Sequence, residues 1–173
     1  VFMDDWEKIT WAKSLGIMNF DPESCQGVDP LGKKMTVLFT TIDYCPLEPV
    51  FPVNDKHYLY SKNLILVSGI ASDTPLKRYL SDSYCIVKHF KFSDHHNFTG
   101  LDIKRIRQAT RRWFTAVTGT TEKDSQRLRG CRKIDDTLKK TTFQIPIQVD
   151  FLSDHEKDVF NETLLGALRE FGK

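Results

Sequence analysis

From residue 62 onward, short apolar runs alternate with amphipathic ones, and this alternation constrains the fold more than any other feature of the 173-residue chain. "LILVSGIAS" (64–72) reads as a buried strand entering a Gly-containing loop. "DTPLKRYLSD" follows as a helix, with Asp73 or Thr74 as N-cap and Pro75 at the first helical position. "YCIVKHFKF" is the next strand and "DHHNFTG" its turn, and 101–117 is predicted as a helix. "VTGTTEKDSQRLR" reads as a short strand entering a helix near Glu122. "TFQIPIQVDFL" is a further strand, and "SDHEKDVFNETLLGALREFG" a closing helix with Phe160, Leu164, Leu168 and Phe171 as a packing stripe. Strands that alternate with helices imply an α/β layered domain with a largely parallel sheet. Such sheets place their chemistry beyond the carboxyl ends of the strands. Three loops are expected there: Gly69–Thr74, Asp94–Thr99 and Gly119–Asp124.

The earlier residues are less regular. Trp6 and Trp11 precede "NFDPESCQGVDPLGKK", which reads as one or two short helices and loops without an obvious core. "TVLFTTIDY" (36–44) reads as a strand and "PLEPVFP" as a second, proline-limited one, together a two-stranded ribbon over 36–60. A ribbon of that size is not stable alone, so it must bridge or edge something larger. No run is apolar for long enough to cross a bilayer, and residues 1–20 contain no signal-peptide core. Cys25, Cys45, Cys85 and Cys131 are widely spaced and read as reduced thiols of a cytosolic protein. A formal net charge of +2 excludes a globally polyanion-binding molecule, and no nucleic-acid partner is expected.

Four motifs carry chemistry, each with a plainer alternative. Asp94-His95-His96 lies just past a strand, where an imidazole can act as acid or base and the carboxylate can orient it or hold a hard metal ion. Asp94 could equally cap the following turn or helix. His57, His89 and His155 have no comparable setting, and His89 is expected on the surface. Thr121, Glu122 and Lys123 open a helix, where hydroxyls and free N–H groups bind anions, although Thr121 with Asp124 also fits a capping box. Gly27-Val-Asp-Pro-Leu-Gly-Lys-Lys34 nearly spells a phosphate-binding loop, but Lys34 replaces the required hydroxyl and a strand rather than a helix follows. The 101–117 helix sets Ile103, Ile106, Thr110, Trp113, Phe114 and Val117 against Lys104, Arg105, Arg107, Arg111 and Arg112. That basic face is either solvated or suited to an anionic membrane surface.

Three of these segments together resemble one family. "VSGIASDTPL" (67–76), "FSDHHNFT" (92–99) and "TTEKDSQRL" (120–128) are similar in order and spacing to motifs of the carboxyl-terminal lobe of tetraacyldisaccharide 4′-kinases. "FTTIDYCPLEPVFP" resembles the strand linker between that family's lobes in its Bacteroidetes-like form. The likeness covers about residues 36–173; residues 1–35 match poorly, and around Lys13–Leu15 the usual Thr-Lys-Cys-Pro turn is missing. The resemblance implies a β-ribbon linker at 36–60 and a Rossmann-like α/β lobe at 61–173, with 1–35 a remnant of an amino-terminal lobe. It implies transfer of the γ-phosphoryl of ATP, with Mg²⁺, to the 4′-hydroxyl of an acylated disaccharide lipid, a lipid A precursor, at the cytosolic face of the inner membrane. His95 is then the imidazole that partners an acidic residue of the other lobe, while Asp94 orients it or approaches the metal. The P-loop and acid of the amino-terminal lobe are not in this chain. It is therefore expected to be inactive alone and to bind neither ATP nor Mg²⁺ tightly. Phosphoryl transfer depends on positioning and charge stabilisation, so a contribution from a second lobe is physically reasonable.

Two other classes compete. Asp-His-His also marks manganese-dependent phosphoesterases, which need further ligands at strand ends; Asp73 and Asp124 could be nominated, but no D-x-D motif occurs at one. A non-catalytic interaction module using residues 36–60 is the other.

Overall fold

The computed structural model describes residues 2–171. In chain order the elements are α1 (Asp5–Ser14), β1 (Met18–Asp21), β2 (Gln26–Val28), β3 (Lys34–Thr36), β4 (Thr40–Tyr44) and β5 (Glu48–Pro49). A 3-10 turn (Lys56–Tyr60), β6 (Asn63–Ser68), α2 (Thr74–Ser81), β7 (Cys85–Lys91), α3 (Gly100–Arg112), β8 (Val117–Thr121) and α4 (Glu122–Gly130) come next. The chain ends with α5 (Asp136–Thr141), β9 (Thr142–Ile145), β10 (Ile147–Phe151) and α6 (Asp154–Phe171). These elements divide into two compact units, Tyr44–Gln148 and a second one built from the residues on either side of it.

The Tyr44–Gln148 unit is a five-stranded sheet in the order β5-β9-β8-β6-β7. β6 pairs in parallel with β7 and β8, and β8 with β9; only β5 runs antiparallel, on β9. β6 is apolar at consecutive positions because both of its faces are covered. Leu64 and Leu66 join Leu76, Leu80, Val117, Phe143 and Ile145 in one core. Val67 points the other way, to Ile103, Ile106, Leu128 and Leu138. Helix α2 thus covers one face, and α3, α4 and α5 the other, the expected layered α/β arrangement. Gly119 lets the layers close: a Cβ there would sit 3.1 Å from Leu64 Cδ1.

Several elements depart from the sequence reading. The expected 101–117 helix stops at Arg112, with Trp113 as C-cap, because Val117 is needed at the start of β8. The segment 142–152 is not one strand: Pro146 separates β9 from β10, and the two lie in different sheets. A two-stranded ribbon is present, but β4 pairs with β10, far along the chain, rather than with the proline-limited segment. That segment gives β5 instead, an edge strand with β9 on one side only, where its prolines leave no ladder bond unmade.

The other unit comprises residues up to Asp43 and from Val149. It carries more regular structure than expected: α1 and a three-stranded antiparallel sheet, β1-β2-β3. α1 opens on a full capping box between Asp4 and Glu7. The near-phosphate-loop sequence forms the β2–β3 hairpin, whose turn is closed by Asp29 accepting from the N–H groups of Leu31 and Lys33, with Gly32 at φ +82°. A buried ion pair, Lys8 Nζ to Glu156 Oε1 at 3.2 Å, ties α1 to α6. The closing helix therefore lies with the residues before Asp43, not within the 61–173 lobe expected from the sequence. Its stripe is largely uncovered: Phe160 meets the Phe151 ring at 5.2 Å between centroids, yet Phe160, Leu164, Leu168 and Phe171 are all exposed.

Candidate functional site

The loops after β6, β7 and β8 meet at the carboxyl end of the parallel strands, as their place in the chain predicts. Asp124, in the first turn of α4 and fully buried, is their common anchor. Its Oδ2 accepts the backbone N–H of Gly69 at 2.7 Å and the Thr121 hydroxyl at 2.9 Å. Its Oδ1 accepts from Arg127 Nη1 at 3.0 Å. Gly69 is required here by space: a Cβ would lie 3.1 Å from the Ser93 carbonyl oxygen and 3.2 Å from Asp124 Oδ1. One carboxylate thus joins the first loop to the third, and Gly69 brings the second against both.

The two adjacent imidazoles have opposite fates. His96 Nε2 lies 2.9 Å from Asp102 Oδ2, and its ring stacks on Phe92 with Phe98 edge-on. Asp102 also accepts from the Thr99 hydroxyl and completes the capping box of α3. Burial alone pushes the Asp102 carboxyl up, but the bonds from Thr99 and His96 hold it below the ordinary carboxylate value. His96 is a packing residue. His95 is turned outward, with 74% of its side chain exposed and a left-handed backbone at φ +60°. Its Nδ1 is 3.1 Å from Arg127 Nη2, and its Nε2 is 3.6 Å from Asp94 Oδ2. Asp94 accepts the His95 N–H at 2.9 Å and pairs with Lys123 Nζ at 2.6 Å. The bond from Lys123 is the main reason that the Asp94 carboxyl is held below its ordinary value. Asp94 does not cap α3; Thr99 does.

A second cluster, which no motif marks, gathers around Asp73. Asp73 is the N-cap residue of α2 by position, yet its side chain makes no cap bond. Instead it is buried against Lys77 at 3.5 Å, Lys91 at 3.3 Å and His89 Nε2 at 3.4 Å. Burial opposes its ionisation, and the Lys91 bond and surrounding charges outweigh that, leaving the carboxyl below its ordinary value. His89 is half-buried rather than on the surface, and burial pushes its imidazole down. Ser68 Oγ is 2.8 Å from the same His89 Nε2 that faces Asp73. A relay needs the acid and the hydroxyl on different ring nitrogens, and Ser68 is fully buried, so this is not a nucleophile triad.

Of the anion-binding candidates, Thr121 is taken up by its helix: its oxygen accepts from Asp124 N–H and its hydroxyl donates to the Asp124 carboxylate. Lys123 is engaged by Asp94, and Glu122 is exposed. Arg127 was not singled out by any motif, because its role depends on a contact 32 residues away in the chain.

The profile of the tetraacyldisaccharide-1-P 4′-kinases matches residues 26–169. The chain belongs to this family. It is 35% identical over 141 residues to a tetraacyldisaccharide 4′-kinase of Phocaeicola vulgatus, covering 76% of this chain and 37% of that protein. Enzymes of the same name from Bacteroides thetaiotaomicron (31% over 149 residues, 76% and 38% covered) and Cytophaga hutchinsonii (30% over 128 residues, 72% and 35% covered) are also similar. The chain thus spans little more than a third of the length of these family members. No solved structure matches it.

Kinases of this family imply ATP and a divalent metal, and the acidic side chains of this site do not make a metal-binding set by themselves. Among the described residues no group of three or more His, Cys, Asp or Glu side chains is placed to hold a metal ion. Asp94, nominated as a metal ligand, is paired with Lys123. Asp73 and Asp124, the further ligands nominated for a manganese phosphoesterase, are engaged by Lys77, Lys91 and His89 and by Arg127, respectively. All four cysteines are free thiols.

Proposed function

We propose that this chain is the carboxyl-terminal lobe of an ATP-dependent kinase that phosphorylates the 4′-hydroxyl of a tetraacyldisaccharide 1-phosphate in lipid A biosynthesis, and that it is inactive without the P-loop lobe. One observation carries the reading: a chain belonging to this kinase family, yet matching only 37% of a relative's length, gathers three loops around an outward-facing imidazole. In this reading ATP and Mg²⁺ are held by the absent lobe, and no nucleotide step is assigned to residues present here. His95 meets the acid of that lobe, Asp94 sets the edge from which the ring projects, and Lys123 holds Asp94. Thr121 and Glu122 play at most a supporting part in placing anions. The exposed stripe of α6 favours the same reading, since four large apolar side chains on one helix call for a covering partner.

The membrane is a second element of the proposal. Among the described residues no helix is long and apolar enough to cross a bilayer. Lys104, Arg105, Arg111 and Arg112 are exposed on α3, and Trp113 and Phe114 are exposed just beyond it. A basic face ending in aromatic side chains suits a peripheral position on an anionic surface, here the cytosolic face of the inner membrane. Co-sedimentation with phosphatidylglycerol vesicles, lost in a variant with Arg111, Arg112 and Phe114 replaced, is the check.

The decisive experiment is turnover of the lipid A precursor by the full-length gene product carrying His95→Ala. A fall in kcat with the His96→Ala variant compared after correction for its stability supports the assignment. Unchanged turnover sinks it.

A further inference from the structure

We propose that Arg127 is a positioning residue that fixes the ring tautomer of His95, so that the imidazole presents an Nε2–H donor to an incoming carboxylate. The inference rests on the assignment of His95 to the reaction, although its test needs no catalysis.

The argument begins with what a guanidinium can do. Arg carries five N–H donors, has no acceptor, and does not deprotonate in proteins. Arg127 Nη2 lies 3.1 Å from His95 Nδ1. A proton on Nδ1 would set two donors face to face at that distance. Nδ1 must therefore accept, and the neutral ring then carries its proton on Nε2. The other two groups facing the ring sit at Nε2. Asp94 Oδ2 lies 3.6 Å from Nε2, an acceptor on the side where the proton is placed. Lys123 Nζ, 3.5 Å from Nε2, has three N–H donors and competes there, but its short bond goes to Asp94 Oδ1 at 2.6 Å, and the closer 3.1 Å contact from Arg127 decides the tautomer.

What makes Arg127 more than a passing surface contact is its other end. Nη1 is held at 3.0 Å by Asp124, whose carboxylate is fully buried and also bonded to Gly69 and Thr121. The planar fork of the guanidinium therefore spans from a fixed interior charge to an exposed ring, a geometry that a lysine ammonium does not reproduce. The backbone beneath the ring is set as well, by the left-handed turn at His95 and its N–H bond to Asp94. The consequence is a change of role. With its lone pair occupied by Arg127, His95 meets an acidic partner as a hydrogen-bond donor that orients it, not as the group that receives a proton from the substrate hydroxyl.

Long-range proton–nitrogen NMR on the ¹⁵N-labelled full chain tests this directly, with the His95 signals identified by their loss in His95→Gln. The wild-type chain is expected to show a single Nε2–H tautomer, with Nδ1 shifted as a hydrogen-bonded acceptor. In Arg127→Met the Nδ1 signal should move to the position of an unbonded acceptor and the two tautomers should average. Arg127→Lys keeps a cation beside Asp124, so it protects the fold and should show the same loss at Nδ1. An Nδ1–H tautomer in the wild-type chain overturns the proposal, and that measurement requires no variant. Unchanged His95 signals in folded Arg127→Lys overturn it equally. Unaltered turnover in His95→Ala would defeat the assignment of His95 to the reaction and leave these spectra as they are, so the two failures are separable.

Discussion

Replacing Asp124 with Asn is the sharpest test of how the site is held. Three donors point at this buried carboxylate: Gly69 N–H and Thr121 O–H at Oδ2, and Arg127 at Oδ1. Asparagine offers one acceptor oxygen and one NH₂ group. With its oxygen toward Gly69 and Thr121, its NH₂ faces the guanidinium; flipped, its NH₂ faces the other two donors. Either way one side of the site loses its bonds: the charge-assisted bond from Arg127 in the first orientation, at about 1.5–3 kcal/mol, or those from Gly69 and Thr121 in the second, and the donor left unmatched costs about 1–3 kcal/mol more. Partial relaxation toward solvent at Arg127, whose side chain is 21% exposed, favours the lower end, about 3 kcal/mol in all. For a domain near 100 residues this corresponds to a fall in Tm of roughly 12–20 °C. Differential scanning calorimetry of the full chain, following the transition of the Tyr44–Gln148 unit, reads it. A loss below about 0.5 kcal/mol would refute the view that this carboxylate locks the three loops.

The two histidines separate by stability alone. His96→Ala should cost about 1–3 kcal/mol in urea unfolding, since it leaves Asp102 short of a partner and a gap between Phe92 and Phe98, whereas His95→Ala should fall within about 0.5 kcal/mol of wild type. Gly69→Ala should destabilise by about 1–3 kcal/mol, because its new methyl meets a backbone carbonyl that cannot swing away. Acid sensitivity should have two limbs. His89 is held below its ordinary value of 6.5, so the unfolded chain takes up its proton first; stability is complete above pH 6.5 and declines as pH falls toward the folded value. The depressed carboxyls of Asp73, Asp94 and Asp102 contribute fully above 3.8 and are lost as pH falls through their folded values. Denaturation midpoints against pH check both limbs, and His89→Gln should flatten only the first.

The parallel sheet was legible because β6 writes its environment into four consecutive apolar residues, and because the Thr121 cap and Pro75 in the first turn of α2 punctuate the helices. What escaped depended on pairing at long range. Nothing local in "TTIDY" reveals that its ribbon partner lies beyond residue 146, and α5 is a six-residue helix too short to show a period. The stripe of α6 was readable as apolar, but periodicity reports that a face wants burial, not that the chain supplies a cover. Asp73 illustrates the same gap in the site. Its place before Thr74-Pro75 fits an N-cap, yet two lysines and a histidine outcompete the helix N–H groups for its carboxylate.

The Asp-His-His segment shows why a motif names residues before it names roles. Adjacent side chains in a loop part company when the backbone between them turns sharply, and the left-handed conformation at His95 does this. It returns His96 to the interior, where Asp102 and two aromatic rings hold it, and leaves His95 facing Lys123 and Arg127 on helix α4. An L-residue adopts that conformation at a cost unless surrounding bonds impose it, and here the preceding Asp94 accepts the His95 N–H while Lys123 pins Asp94. The pair is therefore one structural histidine and one presented histidine, distinguished by their neighbours on other elements and not by their order in the sequence. Exchanging the two roles would require Asp102 to leave its cap and Arg127 to leave a buried carboxylate at once. The fold opposes both.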